Sequence, residues 1–289
     1  MQDRAVLRHR LHVLIRASVL AGQYFAARVE GRQVVTEKTS AADVVTEVDK
    51  ASEKIIRDLI ETTFPDDEML GEEGTEPGAE AAKTAVAEVR DAPHLWIIDP
   101  LDGTTNFVSK IPLSVVSLAY ASRGRVMLAA IYDPYRDELF YAVRGQGAWL
   151  TSGQEALASS GDELPVTRLQ VSTVGDLRRS VIASGFPTRA DDRETAMQNG
   201  MRIVRRAKSL RGFGAAALHL AYVAAGRLEG FWEYDLNAWD IAAGSLLVTE
   251  AGGVVSDIDG TSYHLAVRSV VACGQPSLAK DIQGFLKGE

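Results

Sequence analysis

The sequence predicts an α/β protein in which sheets and helices are layered in two lobes. Two helical patterns and then four consecutive apolar runs fill the first half of the chain, whereas short apolar runs alternate with helical patterns in the second half. Between the halves, residues 152–163 (SGQEALASSGDE) are small and polar, which is typical of a connection. We therefore expect an α+β lobe over residues 1–152 and an α/β lobe over residues 153–289.

In the first lobe, apolar residues at helical spacing predict helices over about residues 3–28 and 48–62. The polar residues 38–42 (KTSAA) predict a loop, and residues 75–91 predict a surface loop that includes a helix. Strands are expected in two short segments and in an antiparallel meander whose members are separated by turn signals. These strands are 68–71, 95–98, 113–122, 125–133, 138–143 and 147–151.

In the second lobe the pattern changes to alternating strands and helices. The expected strands are 180–184, 228–232, 253–256 and 270–273. The expected helices are 191–207, 214–225, 239–251 and 277–287.

Composition narrows the classes of function. The net charge of −8 argues against nucleic acid as a partner, and the basic stretch 202–211 (RIVRRAKSLR) is interpreted as the solvated face of a helix. The single cysteine, Cys273, cannot build a disulfide framework or a thiolate metal site and indicates a reducing compartment, the cytoplasm. We expect neither a signal peptide nor a membrane-spanning segment.

The stretch 96–107 (WIIDPLDGTTNF) carries the first chemical signal. Asp99 and Pro100 favour a β-turn after a buried strand, which would place Asp99 beside Asp102 with the Leu101 carbonyl between them. Gly103 lets the chain bend back, and Thr104 follows where the N-cap of a helix would lie, with backbone N–H groups suited to an anion. Taken alone, this pattern also fits a plain connection between a strand and a helix.

Three further acids have structural explanations when each is taken alone. Glu72 lies in a turn between Gly71 and Gly74, Asp49 begins a helix, and Asp240 fits the N-cap of an apolar helix. If Glu72 and Asp240 met Asp99 and Asp102, two carboxylates ~4 Å apart would repel by about 4 kcal/mol. Such a cluster binds a proton or a cation, and ligands that are all oxygen suit Mg²⁺, Mn²⁺ or Ca²⁺. Sequence spacing alone does not bring the four acids together.

Together these stretches resemble the inositol monophosphatases, within the Mg²⁺-dependent, lithium-sensitive phosphatase superfamily. The strong matches are GEE at 71–73, WIIDPLDGTTNF at 96–107 and WDIAAG at 239–244, the last extended by VTEAGG at 248–253. Weaker matches are DVVTEVD at 43–49 and GAAA at 214–217. The resemblance covers nearly the whole chain and implies a layered αβαβα sandwich of the sugar phosphatase type, with the site where the two lobes meet.

The resemblance also implies roles for single residues. The implied ligands of two to three Mg²⁺ ions, for which Mn²⁺ is a possible substitute, are Glu72, Asp99, the Leu101 carbonyl, Asp102 and Asp240. The implied catalytic residues, which activate and orient the attacking water, are Asp49, Glu72 and Thr104. The implied contacts with the phosphate and the alcohol are Gly103, Thr104, Gly214, Ala215, Ala216, Glu233 and Asp240. Lys38 matches a basic residue near the mobile metal loop.

The expected function is the hydrolysis of a phosphate monoester by a metal-activated water, without a phosphoenzyme. Residues 104–107 (TTNF) resemble the branch that acts on inositol 1-phosphate, although Ala215 stands where a Ser or Thr is common. Fructose 1,6-bisphosphate and histidinol phosphate remain alternatives, as does a non-catalytic regulatory or binding protein on the same fold. The expected partners are a small sugar or polyol phosphate and, as is common in the family, a second copy in a homodimer.

Overall fold

The computed structural model describes residues 2–31, 35–40, 43–159, 165–187 and 190–288. Its helices are α1 (Gln2–Ala26), α2 (Glu47–Thr63), α3 (Ala79–Val89), α4 (Thr104–Val108), α5 (Gly153–Ala158), α6 (Ala190–Val204), α7 (Ala216–Ala224), α8 (Ala238–Glu250) and α9 (Pro276–Lys287). Its strands are β1 (Val35–Ser40), β2 (Asp43–Thr46), β3 (Glu68–Gly71), β4 (Leu95–Asp102), β5 (Val115–Ser122), β6 (Arg125–Asp133), β7 (Glu138–Val143), β8 (Gly147–Thr151), β9 (Thr167–Arg168), β10 (Val181–Ser184), β11 (Ser209–Arg211), β12 (Gly230–Glu233), β13 (Val254–Ser256) and β14 (Val270–Cys273).

The strands form two large sheets and one hairpin. The first sheet has the order β3-β4-β5-β6-β7-β8-β9, in which β3 and β4 are parallel and all later neighbours are antiparallel. The predicted meander is therefore confirmed. The second sheet has the order β11-β10-β12-β14-β13, with β10 parallel to both of its neighbours, and β1 pairs with β2.

The two faces of the first sheet are covered by different helices. On one face, Leu14 of α1 and Ile56 of α2 are buried in a cluster with Trp96 and Ile98 of β4. Ile97 points to the opposite face, because side chains alternate along a strand, and belongs to a second cluster. The first layer is thus α1 with α2, and the second is the seven-stranded sheet.

Helices α7 and α8 form the layer between the two sheets. Leu220 of α7 and Leu246 of α8 share one cluster with β4 of the first sheet and with Val270 of the second. The two helices approach so closely at Gly244 that a Cβ atom there would overlap the Leu220 side chain. Helices α6 and α9 pack on the far face of the second sheet around Trp232. The resulting order of layers, α, β, α, β, α, confirms the predicted fold class.

Several local predictions differ from the structure. The loop predicted over residues 38–42 is wrong for residues 38–40, which continue β1 because pairing with β2 satisfies their polar backbone; residues 41–42 lie outside the described part. The N-cap of α4 is Gly103 and not Thr104, and that of α8 is Asn237 and not Asp240.

The predicted connection over 152–163 contains the short helix α5, while residues 160–164 lie outside the described part. Strand β9 comes after residue 152 and still joins the first sheet. The division into two lobes at residue 152 stays a prediction. Among the described helices, none combines the length and the apolar character needed to cross a bilayer.

Candidate active site

A cavity of about 290 Å³ lies where the end of β4, the first turns of α7 and α8 and the end of β10 meet. Acidic side chains, small residues and one exposed aromatic ring form its wall. The residues that line it are Glu72, Asp102, Gly103, Thr104, Thr105, Asn106, Gly185, Phe186, Gly214, Ala215, Ala216, Glu233, Leu236 and Asp240. Segments separated by more than a hundred residues therefore share one pocket.

The β-turn predicted at Asp99 is wrong: residues 99–102 continue β4, and an irregularity in its pairing brings two aspartates to this region. The Leu101 N–H donates to Asp99 Oδ1 at 3.0 Å, and the pairing of β4 with β5 shifts register between Asp99 and Asp102. Gly103 then turns the chain with φ +92°, where a Cβ atom would lie 3.0 Å from the Leu113 carbonyl oxygen. A side chain at this position would be strained by both its backbone conformation and its neighbours.

Asp102 serves as the N-terminal anion of α7. Its two carboxylate oxygens accept hydrogen bonds from the N–H groups of Ala216, at 3.2 Å, and Ala217, at 2.7 Å. The helix has no cap from its own side chains, since its N-cap is Ala215. Because a helix N-terminus favours negative charge, this contact fixes Asp102 and completes α7 at once.

Asp240 has a similar position in α8. Its Oδ2 accepts from the Asn237 N–H at 2.6 Å and closes a capping box. Arg268 donates to the Asn237 side chain and also pairs with Asp235, so one guanidinium secures the turn that leads into α8.

Glu72 projects from a turn that the chain holds in several places. Lys38 Nζ donates to Glu72 at 2.9 Å and to Glu73 at 2.7 Å. The buried Glu53 accepts from the Glu73 N–H at 2.9 Å, and a Cβ atom at Gly71 would overlap Glu53. Although burial lowers the pKa of Lys38, the charges of Glu72 and Glu73 raise it above its ordinary value.

Thr104 connects the pocket with Asp49. Its hydroxyl lies 3.0 Å from Asp49 Oδ1 and 3.2 Å from the Leu101 carbonyl oxygen, and it can donate to either. Asp49 also accepts from the backbone and the hydroxyl of Thr46, which makes it part of the capping box of α2. Burial raises the pKa of Asp49, and these donors act against that increase.

The pKa values of Asp99, Asp102, Glu233 and Asp240 are raised above their ordinary range. Burial is the main cause for Asp99 and Asp240, and the charge of Glu72 is the next. Burial raises the pKa of Asp102 to about 7 in spite of its hydrogen bonds to α7. Glu233 behaves in the same way because of burial and of Asp240. A set of buried carboxylates that raise one another's pKa values is stabilised by a bound cation.

The donor chemistry of this set fits Mg²⁺, because carboxylate and carbonyl oxygens are the protein ligands that it takes. In the part of the chain that the structure describes, however, no group of three or more Asp, Glu, His or Cys side chains is arranged to hold an ion as it stands. Lys38 pairs with Glu72, and α7 binds Asp102. The side chains would therefore have to shift toward an ion to coordinate it together.

The structure brings most of the sequence-derived site residues to one pocket. Those that line it are Glu72, Asp102, Gly103, Thr104, Gly214, Ala215, Ala216, Glu233 and Asp240. Asp49, Asp99 and Leu101 are buried and do not line it. Asp49 reaches it through the Thr104 hydroxyl, and Asp99 acts on the lining acids through its charge.

Sequence reasoning missed Phe186, Asn106 and His219. Asn106 lies inside the TTNF stretch, and its side-chain amide donates to the Phe213 carbonyl at 2.6 Å. The Phe213 N–H donates to Nε2 of the buried His219 at 2.9 Å. The two contacts fix the peptide groups on both sides of Phe213, the residue before Gly214, whose φ is +72°. No local pattern marks His219, because its role depends on the tertiary packing of α7.

Because of His219, the stability of the protein is expected to depend on pH below neutrality. Burial lowers the pKa of His219 to about 3, so the folded state keeps it neutral where the unfolded chain is protonated below its ordinary pKa of 6.5. Its contribution to stability is complete above about pH 6.5 and falls as the pH drops toward 3. Between pH 7 and pH 5 we expect a loss of about 2 kcal/mol from this residue. Urea titrations at pH 7 and pH 5 should show that His219→Gln loses about 2 kcal/mol less free energy of unfolding than the wild type. The same loss in both proteins would contradict the role assigned to His219.

Known proteins are similar to this chain in both sequence and architecture. A profile of the inositol monophosphatase family matches residues 7–285. A relative from Escherichia coli strain K12, named Nus factor SuhB, is 39% identical over 281 residues, which are 96% of each chain. The structure of extragenic suppressor protein suhB from Bartonella henselae superimposes with a TM-score of 0.81 at 35% identity, covering 98% of both chains. An IMPase from Thermotoga maritima gives 0.78 at 30% identity, covering 99% of this chain and 97% of its own.

The five-layer fold with a carboxylate-lined pocket is that of a sugar-phosphatase-type hydrolase, and the family match supports phosphatase activity, with Mg²⁺ as the metal on which the family generally depends. The chain belongs to the inositol monophosphatase family.

Proposed function

We propose that this protein is a Mg²⁺-dependent phosphate monoester hydrolase and that inositol 1-phosphate is its substrate. The observation that carries the proposal is the convergence of Glu72, Asp102 and Asp240 on the pocket that the Thr104–Asp49 pair also reaches. Asp102 and Asp240 have raised pKa values, so bound divalent cations would stabilise their charged forms. Cations held in this pocket would in turn bind the phosphate group of an ester.

The residues that would hold two to three Mg²⁺ ions are Glu72, Asp99, the Leu101 carbonyl, Asp102 and Asp240. When bound, Mg²⁺ neutralises the charge of the phosphate and makes water a better nucleophile. Mn²⁺ would have the same oxygen preference and is expected to substitute for it.

The chain itself would position the reactants. The Thr104 hydroxyl can accept a hydrogen bond from the attacking water while it donates to Asp49 at 3.0 Å. Asp49, whose pKa is raised by burial, would take up the proton that the water releases. The phosphate lies against the turn at Gly103, which lines the pocket. The new bond from the water oxygen to phosphorus replaces the phosphorus–oxygen bond of the ester, and the alcohol, which takes its proton from a solvent water, would leave on the side of Glu233.

The identity of the alcohol is the finer part of this proposal. The TTNF stretch at 104–107 favours inositol 1-phosphate. Ala215, which stands at the pocket wall in place of a hydroxyl residue, removes one hydrogen-bonding group from the alcohol side. Fructose 1,6-bisphosphate and histidinol phosphate therefore belong in the same test.

A second candidate is a binding or regulatory function on this fold. The observation in its favour is the name of the Escherichia coli relative, Nus factor SuhB. The two functions can coexist, and the measured rate of hydrolysis decides whether catalysis is one of them. We further propose that the protein forms a homodimer, which sedimentation equilibrium would detect as twice the mass of 31.2 kDa.

The decisive measurement is the release of phosphate from a panel of monoesters. With Mg²⁺ present, we expect inositol 1-phosphate to be hydrolysed with a larger kcat/KM than fructose 1,6-bisphosphate or histidinol phosphate. Removal of Mg²⁺ by a chelator should abolish release, and lithium should inhibit it. If labelled phosphate from the substrate can be trapped as a covalent phosphoprotein during turnover, the direct attack of water is wrong. No release from any member of the panel would favour the binding function.

A further inference from the structure

One exposed aromatic ring stands at a pocket whose other lining residues are small, polar or buried. Phe186 follows β10 by two residues and is 54% exposed. The other large apolar residue in the lining, Leu236, is 7% exposed and so belongs to the core. Phe186 is thus the apolar surface that the pocket presents to an incoming molecule.

Core packing does not explain this ring. In the part of the chain that the structure describes, Phe186 belongs to none of the three hydrophobic clusters. An exposed phenyl ring lacks the favourable free energy that burial in an apolar environment would give it. A ligand that covered the ring would recover part of that free energy.

The backbone at Phe186 is fixed beside Glu233. The Gly185 N–H donates to the Glu233 carboxylate. A Cβ atom at Gly185 would overlap Glu233 Oε1, so a larger residue there would displace the carboxylate. The hydrogen bond therefore holds a buried polar acceptor and an exposed apolar ring next to each other in the pocket wall.

This pair is complementary to a cyclic alcohol. The ring of a polyol or sugar carries hydroxyl groups around its edge and C–H groups on its faces. Ligand pockets recognise such molecules with apolar or aromatic surfaces and a small number of polar groups. An acyclic alcohol such as glycerol has hydroxyl groups but lacks a rigid C–H face.

We propose that Phe186 determines substrate specificity by packing its ring on the C–H face of a cyclic leaving alcohol, while Glu233 accepts hydrogen bonds from the hydroxyl groups. The inference rests on the proposed function and narrows it: the preferred substrates are phosphate monoesters of ring alcohols and not of open-chain alcohols.

The test compares two substrates across three variants. The readout is kcat/KM for inositol 1-phosphate divided by kcat/KM for glycerol 2-phosphate. Phe186→Ala should lower this ratio roughly 5- to 30-fold, which is the loss of a stacking contact of about 1–2 kcal/mol. Phe186→Tyr keeps the ring and should restore most of the ratio. Met201→Ala is the matched control, because Met201 is equally exposed, at 54%, and lies on α6 outside the pocket.

The outcomes separate the inference from the function on which it rests. An unchanged ratio in Phe186→Ala, with both substrates hydrolysed, would overturn the role of Phe186 and leave the phosphatase intact. If the wild type hydrolyses neither ester, the proposed function fails, and calorimetric titration with inositol 1-phosphate decides the inference. Weaker binding by Phe186→Ala than by Met201→Ala would support the ring contact, whereas equal affinity, or no binding to the wild type, would overturn it.

Discussion

Asp99→Asn is expected to lower Mg²⁺-dependent phosphatase activity by about 10²- to 10³-fold, as the loss of one group that stabilises transition-state charge does in other enzymes. The same change should stabilise the metal-free protein. Asp99 is 1% exposed, and burial together with Glu72 raises its pKa, so its negative charge is unfavourable without a cation. Asparagine has the same shape and keeps the oxygen that accepts from the Leu101 N–H at 3.0 Å.

The two effects can be measured on one preparation. Phosphate release gives the activity, and urea unfolding with and without Mg²⁺ gives the stability of each state. We expect Asp99→Asn to gain about 1–3 kcal/mol without metal and to lose most of the increase that Mg²⁺ gives to the wild type. Asp133→Asn is the matched control, since Asp133 is equally buried but pairs with Arg136 outside the pocket. That control should retain activity and lose stability. Near-normal turnover in Asp99→Asn would contradict its proposed role.

Arg10→Met is expected to destabilise the fold by about 3–5 kcal/mol, the largest stability effect that we foresee, because it leaves a buried carboxylate without its cation. Arg10 of α1 and Asp67, which precedes β3, form an ion pair whose side chains are 6% and 4% exposed. The guanidinium carbon lies 4.2 Å from the centroid of the Phe64 ring and 4.6 Å from that of Tyr120. One side chain therefore supplies both a counter-ion and stacking surface, and methionine replaces only part of the surface.

Urea denaturation of two further variants tests this explanation. Arg10→Met combined with Asp67→Asn should be more stable than Arg10→Met alone, because the unpaired charge is removed. The amide oxygen introduced at position 67 can still accept the hydrogen bond that Trp96 Nε1 donates to Asp67 in the wild type, at 2.8 Å. Lys54→Met removes the exposed partner of Asp58 and should change stability by less than about 0.5 kcal/mol. A cost below about 1 kcal/mol for Arg10→Met would show that burial of this pair has little energetic consequence.

Periodicity predicted the elements whose pattern is set by one buried face. Strands β5 to β8 and helices α2 and α9 lie within a few residues of their predicted positions, because each alternates or repeats against a core. Strand β1 was missed, since Thr36, Lys38 and their neighbours are polar and the strand exists through pairing with β2. Polar strands of this kind leave no apolar signal in a local window.

The site residues could be named from motifs, but the interactions that position them could not. The contact between Asp102 and the Ala217 N–H joins residues 115 positions apart. Glu53 and His219 support the Glu72 turn and the Gly214 turn through side-chain contacts that only the folded chain creates. The sequence predicted Asp240 as the N-cap of α8, but Asp240 is the third residue of a capping box. An acidic side chain suits both positions, so residue type alone does not separate them.

Two of the acids proposed as ligands also complete secondary structure: Asp102 binds the first turn of α7, and Asp240 closes the cap of α8. A chain that evolved away from hydrolysis would lose helix stability if it replaced them, so folding alone would select for their retention. A family descendant with a purely regulatory task is therefore expected to keep these two acidic side chains, as an active phosphatase does.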